Sequence, residues 1–473
     1  MASGDAHVAV IGAGMAGLAA AEALVTAGAR VTLVEPSGRC GGVLETIRQD
    51  GWLVERSADC FLAARPEAIG LAERLGLAGD LVSVDPRVRR ALVWHEGRGL
   101  PAPEGFRLLA PGSRRGILRT PLLSMAGRLR LLLEPLVPAR RPADPATDES
   151  LERFAVRRLG REAFERLVQP LAAGVWTADP ARLSMAAACP DFLAMERDSG
   201  SLWAGERRRL RAAAESGTAG ARYGQFLTFS TGMDTLPRRL AEHVVDRGGR
   251  IVTATATGVR RDGASGWTVG LAGEAPLAAD AVVIATPAPA AARLLAAADA
   301  RLAAELGAID YAGSAIVSLG FRREDVAHPL DAAGMVVPRR AGRRALAVSF
   351  SSAKFPGRAP PGHVLVRVFV GGALDPGILD LDDAALESVG RDEAATLIGA
   401  RGRPVLARVD RWNGAMPQYH VGHLDRVARI EAAVSAHRGL ALAGSAYRGV
   451  GIPQVIASGQ DAARRCVLPA SMP

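Results

Sequence analysis

The chain of 473 residues is 49% apolar and 23% charged, a composition that excludes a disordered or fibrous protein and allows two or three domains. Its net charge of +9 comes almost wholly from arginine, since Lys354 is the only lysine, and we interpret it as a solvated surface, not a nucleic-acid interface. Four cysteines without CxxC spacing and the lack of any run of about 18 apolar residues argue against a disulfide framework and a membrane span, so we expect a cytoplasmic protein.

The N-terminal stretch predicts a βαβ unit. His7–Ile11 is a short apolar run, Leu18–Thr26 is rich in alanine and leucine, and Arg30–Val34 is apolar and β-branched. We expect the two strands to run parallel, with the helix packed across them.

A glycine-rich turn connects the first strand to the helix. Gly12, Gly14 and Gly17 have the GxGxxG spacing of a dinucleotide-binding turn. The first glycine permits the tight turn, the second lets the backbone approach a pyrophosphate, and the third allows close helix–strand packing. Glu35, at the end of the second strand, can accept hydrogen bonds from a ribose. Glycines alone often make ordinary turns, but in this context they predict dinucleotide binding.

The segment directly after Glu35 favours FAD over a nicotinamide cofactor. It contains Arg39, Gly41 and Gly42, which would bring more backbone against an extended cofactor. A nicotinamide enzyme has no need of this segment. The alternative is a glycine-rich hairpin with a surface arginine, and the position after the acidic residue argues against it.

Residues 122–137 predict a basic amphipathic helix that Pro135 kinks or ends near its last turn. Such a helix can lie on a membrane surface or pack its apolar side on its own domain, and both interpretations stay open. Farther along, we expect a linker at 142–148, a helical pair at 151–159 and 162–167, and a mobile connection at 205–222. The apolar face of the amphipathic helix consists of Leu122, Met125, Leu129, Leu132, Leu133 and Leu136.

Five segments, in order, resemble the FAD-dependent protoporphyrinogen and coproporphyrinogen oxidases over nearly the whole chain. The segment VQPLAAGVWTADPARLSMAAACPDF is specific to that family. The resemblance implies an α/β fold, with an FAD-binding Rossmann-like domain, a mixed-sheet substrate domain and a helical insertion. The matching segments are residues 50–77, 168–192, 350–372, 411–431 and 440–463.

The domain organisation that the resemblance implies is discontinuous. The FAD-binding domain would comprise residues 1–75, 225–290 and 436–473. Residues 85–189 would form the helical insertion, with membrane-surface contact as one interpretation. The substrate-binding domain would comprise residues 190–224 and 291–435.

The last glycine-rich segment lines the flavin in the family that the chain resembles. Gly444, Gly449 and Gly451 are therefore expected close to the flavin. Ile452 and Pro453 are expected to begin a helix that points at the pyrimidine side of the isoalloxazine ring. The positive end of that helix would stabilise negative charge on the reduced flavin.

Four further positions carry over from the family. Ala256, in a strand predicted from Ile251 to Val259, is expected to contact adenine through its backbone, and Thr286 to lie in another cofactor-lining turn. On the substrate side, Arg90 is expected to hold a propionate and Phe350 to lie near the ring-binding cleft. A solvated arginine and a core phenylalanine are the alternatives at these two positions.

The resemblance implies an FAD-dependent, oxygen-linked six-electron oxidation of a porphyrinogen, with release of hydrogen peroxide, in haem biosynthesis. The substrate would be coproporphyrinogen III or protoporphyrinogen IX, and the sequence does not separate the two. The sequence shows no catalytic triad, metal site or acid–base pair. The chemistry needs none, because flavin N5 can accept a hydride while the protein supplies orientation.

Two alternatives to a porphyrinogen oxidase remain. A flavin amine oxidase or a carotenoid desaturase would share the fold but not the segment 168–192. A non-catalytic scaffold that hands porphyrins between enzymes at a membrane would suit the basic helix but would not need a full flavin site. The expected partners are a porphyrinogen, oxygen and a downstream ferrochelatase, with peripheral contact at the inner face of the membrane as a further option. The oligomeric state stays open.

Overall fold

The structure of the protein, a computed structural model, describes residues 6–140, 148–215, 226–263 and 266–467. Within these ranges the strands are β1 His7–Ile11, β2 Arg30–Glu35, β3 Thr46–Gln49, β4 Trp52–Glu55, β5 Phe61–Leu62, β6 Leu81–Ser83, β7 Ala91–His95, β8 Arg98–Pro101, β9 Phe226–Phe229, β10 Arg250–Thr253, β11 Ala256–Asp262, β12 Gly266–Leu271, β13 Leu277–Ala279, β14 Ala281–Ile284, β15 Tyr311–Arg322, β16 Gly334–Val336, β17 Ala345–Ser349, β18 His363–Gly371, β19 Leu406–Pro417 and β20 Leu440–Leu442.

The helices of the described ranges are α1 Met15–Thr26, α2 Pro66–Arg74, α3 Arg114–Arg119, α4 Met125–Leu132, α5 Leu151–Leu159, α6 Arg161–Ala163, α7 Gln169–Trp176, α8 Met185–Ala188, α9 Pro190–Ser199, α10 Leu202–Glu215, α11 Thr235–Asp246, α12 Ala288–Leu295, α13 Ala300–Gly307, α14 Ser351–Lys354, α15 Asp383–Ile398, α16 His423–Ser435 and α17 Ile452–Val467. Short 3₁₀ helices lie at Ala78–Asp80, Pro86–Val88, Glu134–Leu136, Arg323–Asp325, Arg339–Ala341 and Pro376–Asp380, and a π-helical turn lies at Phe164–Val168.

The first layer is a five-stranded parallel sheet in the order β10-β2-β1-β14-β20. Every residue of the central strand β1 is buried, as a parallel strand covered on both faces should be. α1 and α17 pack on one face of the sheet, and α12, α13 and α16 pack on the other. The predicted βαβ unit is confirmed, with α1 beginning earlier than expected, at Met15, and β2 extending to Glu35.

The single strand predicted from Ile251 to Val259 is two strands. β10 stays in the parallel sheet, whereas β11 pairs with β12 in a separate antiparallel sheet, β11-β12-β13. The reason lies in the partner strand: Thr253 pairs with Glu35, the last residue of β2, so parallel pairing ends there. Ala256 consequently begins the new strand instead of lying inside the old one.

The second layer is a seven-stranded mixed sheet in the order β19-β15-β18-β17-β16-β7-β8, covered by α15. β16 and β7 run parallel, and the other neighbouring strands run antiparallel. The expectation that residues 85–189 form a helical insertion is therefore wrong for β7 and β8. Leu92 and Val93 of β7 are buried strand residues that pair with β16. The other domain limits stay predictions.

A helical region with its own core follows β8. Its buried residues include Phe154 and Leu159 of α5, which has the predicted bounds. The second predicted helix, at 162–167, is divided between α6 and the π-helical turn. The prediction of a mobile connection at 205–222 is wrong for residues 205–215, because α10 extends to Glu215. Glu206 of this helix forms a salt bridge with Arg107 at 2.8 Å. The rest of that connection, and the expected linker up to residue 147, lie outside the described residues.

The amphipathic helix predicted at 122–137 is shorter, and it buries a different face. α4 ends before Pro135, which lies in the 3₁₀ helix that follows. Leu131 faces the core, although the predicted apolar face did not include it. No helix of the described ranges is long and apolar enough to cross a bilayer. The predicted face points mostly to solvent, its exposed members being Met125, Leu129, Leu133 and Leu136.

A buried ion network fastens the helical region together. Arg158 and Glu134 are both fully buried and bonded to each other. Arg158 also lies 3.3 Å from Glu196 of α9. The Glu134 carboxylate in turn accepts hydrogen bonds from the Ser201 hydroxyl at 2.8 Å and from the Leu202 amide at 3.0 Å. The network thereby joins the 3₁₀ helix after α4 to α5, α9 and α10.

Replacing Arg158 with methionine should destabilise this region strongly. The change leaves the Glu134 charge buried without its cation, and breaking one side of such a pair costs about 3 to 5 kcal/mol. We expect a clearly lower melting temperature by calorimetry. The matched control is Arg197→Met, which removes an exposed arginine whose partner, Asp198, is also exposed, and should change the melting temperature little. Equal melting temperatures for the two variants would contradict a role of the network in stability.

Candidate cofactor and substrate site

The turn between β1 and α1 can be built only with glycines at two positions. Gly12 has a φ of +99°, and a Cβ there would lie 3.0 Å from the carbonyl oxygen of Ala285. A Cβ on Gly17 would lie 1.8 Å from the carbonyl oxygen of Gly12. The sequence therefore folds the turn back against both the helix and the neighbouring strand β14.

The N-terminus of α1 is open, as a phosphate site must be. Gly14 is its N-cap, and the helix has no side-chain cap. A Cβ on Gly14 would meet no atom within 4 Å, so the space in front of the first helical turn is clear. The free N–H groups and the positive end of the helix dipole suit a pyrophosphate, and these residues fit a dinucleotide.

Glu35 is held rigidly at the end of β2. Its carboxylate accepts the Ala13 amide at 2.8 Å, the Ser37 amide at 3.0 Å and the Ser37 hydroxyl at 2.7 Å. One carboxylate thus fixes the glycine turn and the loop after β2 together. Its expected contact with a ribose stays a prediction.

Arg39, Gly41 and Gly42 fold over the glycine turn, as the FAD prediction requires. The Gly41 amide donates to the Ala13 carbonyl at 2.8 Å, and a Cβ on Gly42 would lie 3.1 Å from the Gly14 Cα. The Arg39 guanidinium donates to the Leu44 carbonyl at 2.9 Å and also bonds the Gly42 carbonyl. Arg39 therefore shapes this loop from within, a role that its sequence position did not specify.

A second helix N-terminus reaches the same edge of the parallel sheet. α17 crosses α1 so closely that a Cβ on Gly459 would lie 2.1 Å from the Ala16 carbonyl oxygen. Ile452 and Pro453 begin α17, as expected. Before them, Gly444 has a φ of +131° with no atom within 4 Å of an added Cβ, and its amide donates to the Ser458 hydroxyl at 3.0 Å.

The rest of the turn into α17 depends on glycine and on a tyrosine. Gly449 has a φ of +143°, and its amide donates to the Tyr419 hydroxyl at 2.8 Å. A Cβ on Gly451 would meet the end of the Gln454 side chain. Tyr419 was not among the predicted site residues.

Ala256 and Thr286 lie near the carboxyl ends of parallel strands. Thr286 follows β14, and its methyl group would be 3.3 Å from a Cβ on Gly12. Ala256 follows β10, three residues beyond the pairing of Thr253 with Glu35. The carboxyl edge of a parallel sheet is where such folds bind nucleotides, so both positions suit the predicted contacts.

The two predicted substrate residues flank Ala333, whose amide donates to the Arg90 carbonyl at 2.9 Å and whose carbonyl accepts the Phe350 amide at 3.1 Å. Their side chains differ in exposure. Arg90 is half-exposed, and its guanidinium bonds the side chain and the carbonyl of Asp331, so a propionate would have to compete with that carboxylate. Phe350 is wholly buried and packs against His328, with ring centroids 5.3 Å apart. Phe350 thus belongs to the core of the seven-stranded sheet, as the alternative expected, and its position near the ring-binding cleft stays a prediction.

Arg56 joins the loop between β2 and β3, residues 36–45, to the seven-stranded sheet. We call this loop the cofactor loop and its contact with the sheet the seam. Its guanidinium lies 2.6 Å from Glu45 and 2.7 Å from Asp410, a fully buried residue of β19. The indole N–H of Trp412 donates to the Arg56 carbonyl at 2.8 Å. Arg56 and Asp410 are 354 positions apart in the chain, so no local pattern could have revealed the pair.

Asp59 lies at the same seam, in a buried cluster with two cations. Its carboxylate is 2.6 Å from Lys354 Nζ and 3.4 Å from the Arg367 guanidinium. Burial alone would raise the pKa of Asp59, but the two positive charges outweigh it and hold the pKa well below its ordinary value. Burial, together with the Asp59 charge, raises the pKa of the Cys60 thiol to about 12.

Three comparisons relate this arrangement to known proteins. The model of the family described as flavin containing amine oxidoreductase matches residues 15–467. The coproporphyrinogen III oxidase of Bacillus subtilis (strain 168) is 32% identical over 98% of both chains. Protoporphyrinogen oxidase 1, chloroplastic, of Spinacia oleracea is 31% identical over 97% of this chain and 83% of that protein. A crystal structure of a protein from Exiguobacterium sp. 255-15 is 28% identical, with a TM-score of 0.84 over 98% of both chains, and confirms the predicted fold class.

Replacing Gly459 with alanine should weaken FAD binding. Alanine normally favours a helix over glycine, by about 0.5 to 1 kcal/mol, but here its Cβ would force α17 away from α1. We expect less flavin retained through purification and a lower melting temperature. The control is Gly70→Ala in α2, where an added Cβ would meet only the end of the Arg74 side chain, at 3.9 Å. If the two variants retained FAD equally, the close crossing would not set the cofactor site.

Proposed function

Since the chain belongs to the flavin containing amine oxidoreductase family and FAD is its cofactor, we propose that it oxidises a porphyrinogen on the way to haem. The observation that carries the proposal is the 32% identity, over 98% of both chains, to a coproporphyrinogen III oxidase. The relative from spinach is named for protoporphyrinogen instead. We name coproporphyrinogen III as the first substrate because the bacterial relative matches over the larger share of its own length.

The described residues supply what such an oxidation needs from a protein. Bound FAD would accept two electrons in each of three cycles and pass them to oxygen, giving hydrogen peroxide. The open N-terminus of α1 at Gly14 suits the cofactor phosphates. The N-terminus of α17 at Ile452 offers a positive dipole end at the same edge of the sheet, where negative charge on the reduced flavin would be stabilised.

The seam between the two sheets would keep the reaction centre in place. Arg56 bonds the cofactor loop through Glu45 and the seven-stranded sheet through Asp410. Asp59 repeats this connection through Lys354 and Arg367. Arg56 and Glu45 are partly exposed, whereas Asp410, Asp59, Lys354 and Arg367 are buried. These pairs hold the seven-stranded sheet against the layer that would bind the cofactor.

Purified yellow protein should convert coproporphyrinogen III to a fluorescent porphyrin in air, faster than protoporphyrinogen IX. Each porphyrin should be accompanied by about three molecules of hydrogen peroxide, since each two-electron cycle reduces one oxygen. Porphyrin fluorescence measures the porphyrin, and a peroxide assay measures the hydrogen peroxide. A blank without protein corrects both for spontaneous oxidation. Faster turnover of protoporphyrinogen IX would assign the later step. Failure of both substrates with FAD bound would contradict the porphyrinogen proposal and favour an amine substrate.

A separate observation favours peripheral contact with an anionic membrane. Large apolar side chains are exposed on α3, α4 and the 3₁₀ helix after them, including Met125 at 72% and Leu136 at 76%. The neighbouring Arg115 and Arg119 are exposed as well. An apolar surface edged by arginines matches the interior and the negative headgroups of such a membrane, and we propose that it rests there. The remaining exposed apolar residues of this surface are Leu118, Leu129 and Leu133.

The double variant Met125→Glu with Leu129→Glu should lose most of the membrane binding. Two carboxylates on the apolar surface would be repelled by anionic headgroups and would oppose burial in the acyl boundary. We expect the unaltered protein to sediment with phosphatidylglycerol vesicles more than with phosphatidylcholine vesicles, and the variant about tenfold less. Val405→Glu, at an exposed valine next to β19, is the control. Equal sedimentation of variant and control would contradict this surface as the contact.

A further inference from the structure

One tyrosine hydroxyl spans the turn between β20 and α17. Tyr419 is 1% exposed, and its hydroxyl donates to the Ser445 carbonyl at 2.5 Å. The same oxygen accepts the Gly449 amide at 2.8 Å. A single side chain from outside the turn therefore satisfies a backbone acceptor at its beginning and a backbone donor near its end.

A histidine from α16 holds the middle of the same turn. His423 stacks on Tyr419 with ring centroids 4.0 Å apart and an angle of 15° between the rings, and its Nε2 lies 2.9 Å from the Tyr447 carbonyl. Burial lowers the pKa of His423 to about 4, so the ring is neutral near pH 7. Because a carbonyl can only accept, the single ring proton lies on Nε2 and is donated to Tyr447.

Both side chains keep the required protonation state at neutral pH. Burial raises the pKa of Tyr419, so its hydroxyl keeps the proton that it donates to Ser445. The turn is thus tied at three alternate residues, Ser445, Tyr447 and Gly449. The ties do not depend on any charge that normal changes of pH would remove.

Other contacts of the turn involve side chains, not the backbone groups at Ser445, Tyr447 and Gly449. Arg448 pairs with Glu431 at 2.5 Å, and the Ala446 and Tyr447 side chains are buried. Gly444 and Gly449 adopt φ values of +131° and +143°, which glycine reaches but which it also leaves readily. The Ser458 hydroxyl binds the Gly444 amide at the start of the turn. Tyr419 and His423 are the side chains that bond the backbone of the turn at Ser445, Tyr447 and Gly449, and so they help to set the direction in which it delivers Ile452 to the start of α17.

We propose that Tyr419 and His423 are positioning residues that aim the N-terminus of α17 at the flavin and so favour its reduced form. This inference rests on FAD as the cofactor and not on the identity of the substrate. The positive end of a helix dipole stabilises an anion only within about the first turn of the helix, so a small change in the direction of α17 alters the stabilisation of the reduced flavin more than that of the oxidised flavin.

The first test is Tyr419→Phe in the full-length protein, without any porphyrinogen. The ring still stacks on His423, but both hydrogen bonds are lost, and the Gly449 amide loses its partner. We expect apoprotein titrated with FAD to show about tenfold weaker binding. We also expect the midpoint potential of bound FAD to fall. The fall is about 30 mV if the affinity for reduced FAD decreases tenfold more than the affinity for oxidised FAD.

The matched control is Tyr447→Phe. This tyrosine is buried in the same turn, and its hydroxyl has no hydrogen-bond partner among the described residues. Its removal is the same chemical change and should leave the flavin potential and the FAD affinity near those of the unaltered protein. A fall in potential of similar size in both variants would show that loss of any hydroxyl in the turn suffices, and would overturn the assignment.

A second pair of variants tests the histidine without changing Tyr419. His423→Gln retains an N–H donor for the Tyr447 carbonyl, whereas His423→Leu does not. The leucine variant should lower the flavin potential, and the glutamine variant should restore most of the difference. If Tyr419→Phe and His423→Leu lowered the melting temperatures of apoprotein and holoprotein alike, with potential and FAD affinity unchanged, the residues would serve the fold only and the proposal would fail.

Discussion

The structure depends first on how closely α1 and α17 can approach each other. Glycine at position 459 removes the Cβ that would strike the Ala16 carbonyl, and glycine at position 17 does the same against Gly12. With these side chains absent, two helices that start at opposite ends of the chain bring their positive ends to one edge of the parallel sheet. A dinucleotide with a pyrophosphate in its middle and an electron-accepting ring at one end suits this arrangement, because the pyrophosphate is always negative and the ring gains negative charge on reduction.

The second requirement is that the seven-stranded sheet keep a fixed position relative to this edge of the parallel sheet. Burying charges is costly, and the chain places Asp410 and Asp59 in the interior between the layers. Each is compensated by cations from across the seam, Arg56 for the first and Lys354 with Arg367 for the second. Arg408 of the same strand also bonds Asp410, at 3.0 Å, so a different packing of the two layers would leave the charges of Asp59, Lys354 and Arg367 buried without partners.

Sequence reasoning succeeded where structure is decided locally. The turn at Gly12, the helix after it and the strand that ends at Glu35 follow from residues that are close in the chain, so their pattern specifies them. It did not decide whether Phe350 is a core residue, because that burial depends on the sheet around it. For the helix after Leu122 it left packing and membrane contact both open, and the fold exposes most of the apolar face. That each predicted cofactor residue contacts FAD stays a prediction.

Hydrogen bonds between residues that are far apart in the chain could not be predicted from local sequence patterns. Tyr419 and Gly449 stand 30 positions apart, and nothing in the spacing of either segment shows that one hydroxyl joins them. The segment around Tyr419 was noticed through family resemblance, which marks a region without saying what its side chains do. Positioning residues of this kind become visible only when backbone groups are matched with their hydrogen-bond partners.

The burial of Lys354 has a practical consequence. It is the only lysine in the chain, it is 9% exposed, and its amine is held 2.6 Å from Asp59. Apart from the terminal amino group, the folded molecule therefore offers amine-directed reagents almost nothing to modify. Coupling through amines would attach the protein to a sensor surface in one orientation. The rate at which Lys354 is acylated would measure how often the seam between the two sheets opens.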